Sequence, residues 1–202
     1  MFRFFSAKAP APDGAPATKG DTVASLDPDT SSFGHYMTLA DARLRLFSVF
    51  DDLYYDRADA DMLSPAMRNH AIGHLKKIGF RQISGAVLED VAGDRRCFMP
   101  KSHALGASPF DITRYTPRRS QDFYILTPTQ TACQFIDHYA HEEAVERIVH
   151  LMRIQPINLF RLMDYLEHTE AHREFLKAIK FLKKAQSDAV KSEPLKRRRA
   201  LG

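Results

Sequence analysis

The sequence lacks nearly everything that would announce a reaction. Two cysteines, Cys97 and Cys133, stand in 202 residues; they supply neither a disulfide framework nor a CxxC pair, and are expected as buried or half-buried thiols in a reducing compartment. No apolar run approaches the roughly 20 residues that cross a bilayer. The apolar start Met1-Phe2-Arg3-Phe4-Phe5 is shorter than the core of a secretory signal, so a cytoplasmic chain without a membrane span is expected. The nine glycines are scattered singly, which excludes a glycine-rich phosphate loop. No serine sits in a glycine elbow, and neither cysteine is tied by spacing to a histidine. These absences lean the reading away from an enzyme, and no cofactor is implied.

Uncompensated charge is missing from the body of the chain as well. The net charge is +4, but residues 35–182 carry nineteen basic and nineteen acidic side chains, and residues 183–202 carry seven basic and two acidic. The high isoelectric point therefore describes the end of the chain and not a binding face. A dedicated DNA-reading domain is disfavoured on that ground.

With 44% apolar residues, the chain has enough to build one core of ordinary size. Residues 1–34, rich in Ala, Pro, Gly, Asp, Ser and Thr, bury too little to offset their conformational entropy and read as a disordered leader. Residues 35–186 read as a single mostly helical domain, and residues 187–202 as a basic tail. The expected fold class is mainly α, with a small β-hairpin or irregular insertion over 80–126. A first helix is expected from Thr38, through Leu39, Leu44, Leu46, Phe47, Phe50, Leu53 and Tyr54, on spacings of three and four. A second begins at Ser64-Pro65 and stops at Gly79, and the two are expected to pair antiparallel.

Between Phe80 and Leu126 the helical period is lost. Val87–Val91 and Arg96–Met99 flank Ala92-Gly93-Asp94, a hairpin turn, and Phe123–Leu126 can add a strand. At Thr127-Pro128-Thr129-Gln130 a threonine cap, a proline at the first helical position and a glutamine at the third predict a helix start. Further helices follow: one from about His141, an apolar one opened by Pro156, and an amphipathic one carrying Phe175, Leu176, Ile179 and Leu182. The helix after Pro156 is apolar nearly all round, which places Leu159 and Phe160 in the core or against a permanent partner.

Nine histidines invite a metal reading. His70 and His74, and again His168 and His172, stand four apart, the spacing that puts two imidazoles on one helix face. Neither pair has the adjacent glutamate of a zinc-protease helix, so metal binding is the weaker reading of these four residues. The aspartates from Asp51 to Asp61 lack the glycine and closing glutamate of a calcium loop. For nucleic acid, Arg114, Tyr115, Arg118 and Arg119 interleave cations with an aromatic, and Lys196, Arg197, Arg198 and Arg199 cluster in the tail. The helices around Pro156 loosely resemble a helix-turn-helix, but the would-be reading helix is too apolar to face bases.

The leading expectation is a non-enzymatic adaptor or regulatory protein that binds a protein partner, or itself, through its C-terminal helices, with Leu159, Phe160, Met163, Phe175 and Ile179 as contact residues. The alternatives are a nucleic-acid-associated protein using the tail and the Arg114–Arg119 strip, and a small histidine-rich metal protein or enzyme.

Overall fold

Leu46-Phe47-Ser48-Val49 is buried at all four positions, the pattern of a strand covered on both faces rather than of a helix with one wet side. In the computed structural model, which describes residues 37–50, 63–99, 121–167, 170–193 and 195, this run is strand β2 (Leu46–Val49) of a six-stranded mixed sheet. The other strands are β1 (Met37–Asp41), β3 (Phe80–Ser84), β4 (Val87–Asp90), β5 (Arg96–Phe98) and β6 (Phe123–Leu126), in the spatial order β1-β2-β6-β5-β4-β3. β6 runs parallel to both β2 and β5, while β1–β2, β3–β4 and β4–β5 are antiparallel. The helices are α1 (Pro65–Lys77), α2 (Pro128–His138), α3 (His141–Met152), α4 (Leu159–Glu167) and α5 (Ile179–Val190), with a 3-10 segment, Glu170–Ala178, before α5.

The mainly helical expectation is thereby overturned. The sheet is one of two structural halves, and the segment expected as a small insertion supplies four of its six strands. In place of a helix from Thr38, the chain forms the β1–β2 hairpin, so the expected antiparallel helix pair does not exist. Apolar spacings of three and four over so short a stretch also suit alternating strand faces once a turn intervenes. That turn is specified by Asp41, whose carboxylate accepts from the Leu44 amide at 2.7 Å, and by Arg45, whose φ of 55° is left-handed backbone that no helix interior contains.

Strand pleating sorts the core into two layers. Met37, Phe47, Val49, Phe80, Leu88, Cys97, Phe123 and Ile125 form one face and pack with Leu63, Met67, Ala71 and Leu75 on and before α1. α1 starts where the sequence predicts it: the Ser64 hydroxyl accepts from the Met67 amide, Pro65 holds the first turn, and Gly79, at φ 92°, lets the chain turn into β3. Leu46, Tyr124 and Leu126 form the opposite face, under α2.

The capping box at α2 is complete, with Thr127 and Gln130 exchanging backbone-to-side-chain hydrogen bonds of 3.0 and 3.2 Å. Every residue of α2 from Pro128 to Phe135 is buried, because the helix lies between the sheet and the remaining helices. Such a position demands that its polar groups be satisfied internally. The Thr131 hydroxyl donates to the Thr127 carbonyl at 2.9 Å, and the Thr129 hydroxyl accepts from the Asn158 amide at 2.9 Å. α3 and α4 rest on α2, and α5 packs against α3 and α4, the layer being joined through Phe135, Tyr139, Ile148, Leu151, Met152, Leu162, Leu166, Phe175 and Leu182. Each large apolar side chain so buried stabilises the fold by about 1.5–3 kcal/mol.

Candidate functional site

The residues expected to bind nucleic acid, Arg114, Tyr115, Arg118, Arg119, Lys196, Arg197, Arg198 and Arg199, lie outside the described residues, as does His168. His70 and His74 do share one side of α1, with ring centroids 4.4 Å apart. Burial, and next the charge of Lys77, lower the pKa of His74, which favours a neutral imidazole. Among the described residues no group of three or more His, Cys, Asp or Glu side chains converges on a metal position. His172, on the 3-10 segment, turns to a different partner: its Nε2 lies 3.0 Å from Asp137 of α2.

Asp137 is the centre of a polar network that ties the helical layer together. Its carboxylate accepts from the Tyr165 hydroxyl of α4 at 2.6 and 2.7 Å, as well as from His172. Burial, then the hydrogen bond and charge of Asp137, push the Tyr165 pKa far up, so the phenol stays protonated and remains a donor. The Nδ1 atom of His172 is buried and has no hydrogen-bond partner among the described residues. This network joins α2, α4 and the 3-10 segment by side chains that are all at least four-fifths buried, and it reads as a tie between elements.

A second network closes the hairpin turn against α3. Asp41 accepts from Tyr139 and Arg147 at 2.6 Å each, and Arg147 also pairs with Glu143. The Tyr139 ring is held between two guanidinium groups, Arg43 at 4.2 Å and Arg147 at 4.0 Å from its centroid, where cation–π attraction adds to the ion pair. Burial, then the hydrogen bond from Tyr139 to Asp41, raise the Tyr139 pKa. Both cysteines are buried thiols outside any disulfide, and burial pushes the Cys97 thiol up, away from the thiolate a nucleophile needs.

Among the described residues, an open groove of about 480 Å³ lies between α4 and α5. Ile157, Leu159, Phe160, Met163, Ile179 and Val190 supply its apolar lining, with Asn158, Gln186, Ser187, Lys183 and Lys191 at its polar positions. Asn158 builds the α4 wall: its Oδ1 accepts from the amides of Phe160 and Arg161 at 3.1 and 3.3 Å, capping a helix that therefore begins at Leu159 and not at Pro156. Gln186 fixes the α5 wall, accepting from the Ile157 amide at 2.8 Å and donating to the Ile157 carbonyl at 2.9 Å. Both polar side chains are thus occupied in holding the groove open.

Of the contact residues expected from sequence, Leu159, Phe160, Met163 and Ile179 come together on this groove. Phe175 does not; it is buried in the helical core. Phe160, expected in the core or a permanent interface, is 59% exposed. Lys183, expected largely on the side opposite Ile179, lines the groove with it, as do Gln186 and Val190; their spacing from Ile179 (four, seven and eleven) is that of one helix face. Among the described residues its lining offers apolar area, one hydroxyl and two ammonium groups, and no carboxylate or imidazole. No family model, curated protein or solved structure matches the chain.

Proposed function

We propose that the protein is a non-enzymatic adaptor or regulatory protein that engages a protein partner through the α4–α5 groove. The observation that carries this reading is an apolar groove left open at the surface of the helical layer, with Phe160 at its edge, 59% exposed. A soluble surface that keeps a large aromatic in water next to a concave apolar wall loses hydrophobic stabilisation it regains only on association. No helix among the described residues is long and apolar enough to cross a membrane, so the groove is not a packing face between spans.

The test compares proteins retained from native extract by the full chain and by a Phe160→Ser, Met163→Ser double variant. Partners held by the first and lost from the second, at unchanged fold, are the expected outcome. Equal retention by both removes the groove as the binding surface.

A further inference from the structure

We infer that the occupant of the α4–α5 groove is an amphipathic helix with acidic residues flanking its apolar stripe; this rests on the reading of the groove as a protein-binding surface. The walls are two helices, whose backbone donors and acceptors are already used internally. An extended peptide laid between them would leave its own backbone unpaired, whereas a helix satisfies its backbone within itself and presents only side chains. The α5 wall from Ile179 to Lys191 is about 18 Å long at the rise of an α-helix, so the complementary segment is roughly 12 residues, three turns. Its apolar positions at i, i+3, i+4 and i+7 match a groove bordered by Phe160 and Met163 on one side and Ile179 and Val190 on the other.

Charge chooses the flanks. Among the described residues the lining contains Lys183 and Lys191 and no acidic side chain, and α5 with its cap residue, Ile179–Lys191, carries four lysines against one aspartate. Lys183 and Lys191 are about 12 Å apart along the helix axis, which fits two carboxylates about two turns apart on a partner helix. A fatty acid offers one carboxylate at one end and leaves the second lysine unmatched. A basic amphipathic helix would place like charges together.

The probes are two synthetic 18-residue helical peptides with the same leucine and phenylalanine stripe, flanked by glutamate in one and by lysine in the other. With the full-length protein, the glutamate peptide is expected to bind about fivefold or more tightly than the lysine peptide, with the gap narrowing as salt rises. A Lys183→Glu, Lys191→Glu variant should reverse the preference, and Phe160→Ala should weaken both peptides. Equal affinity for the two peptides, both weakened by Phe160→Ala, overturns the acidic partner while leaving the groove a protein-binding surface. Binding of neither peptide overturns the helical occupant, and the extract comparison above then decides separately whether the groove binds protein. Displacement of the glutamate peptide by oleate at lower concentration than by the unlabelled peptide overturns it in favour of a lipid.

Discussion

The Tyr165 hydroxyl, the Asp137 carboxylate and the His172 imidazole form a set in which each group has been taken out of water on the condition that the others stay. Tyr165→Phe leaves the carboxylate with His172 as its remaining partner in this set. The expected cost is about 1–3 kcal/mol in urea unfolding, most of it the penalty of a buried acceptor losing its donor; a loss below roughly 0.3 kcal/mol would mean water reaches Asp137. Titration gives a second readout. Tyr139 and Tyr165 both have pKa values raised by folding above the ordinary value of 10.0, so the folded state holds protons that the unfolded chain releases. Their contribution is fully present below pH 10 and is lost as the pH rises above it, at up to about 1.4 kcal/mol per pH unit for each group. Unfolding followed from pH 8 to 11 should show a flat region and then a decline, and Tyr165→Phe should make the decline shallower. An equally steep decline in the variant would assign the alkaline instability to other groups.

At the scale of the element, the helices were more legible than the strands. Ser64-Pro65 and Thr127-Pro128-Thr129-Gln130 name their helix starts because a cap is a local device, encoded in four residues and independent of what packs nearby. Ala92-Gly93-Asp94 named a turn for the same reason, with Gly93 at φ 76° and Asp90 accepting from the amides of Asp94 and Arg95. β1 and β2 were misread because their decisive signal is a single backbone angle at Arg45, and arginine is no marker of left-handed backbone. The parallel pairing of β6 with β2 joins residues more than seventy positions apart, and no local pattern carries that. The groove was half legible: Leu159, Phe160 and Met163 were marked by apolarity, but whether an apolar residue faces a neighbour or the solvent is decided by a helix the sequence does not place. The turn itself is testable. Arg45→Gly removes the side-chain cost of left-handed backbone, about 1–2 kcal/mol, and should leave stability unchanged or raised, while Arg45→Val should lower it by more than about 1 kcal/mol. Similar melting temperatures for the two variants would contradict the observed conformation.

For the whole molecule, the two phenylalanines Phe135 and Phe160 separate what holds the fold from what faces outward. Phe135 is 1% exposed between the sheet and the outer helices, and Phe160 is 59% exposed at the groove edge. Phe135→Ala is expected to cost about 3–5 kcal/mol, and Phe160→Ala less than about 0.5 kcal/mol. A Phe160→Ala loss comparable to that of Phe135→Ala would make the groove wall part of the core and remove the argument for a docking surface. The strand order has its own consequence for how the chain comes off the ribosome. The β1–β2 hairpin and the β3–β4–β5 meander do not touch each other in the sheet; β6 lies between them and pairs with both. Val49 is therefore synthesised about 4–15 s before Phe123 at ordinary elongation rates. β2 waits with an open edge through that interval and β5 through its last third, about 1–5 s, when the nascent chain holds two unjoined β fragments whose natural error is to pair with the wrong neighbour.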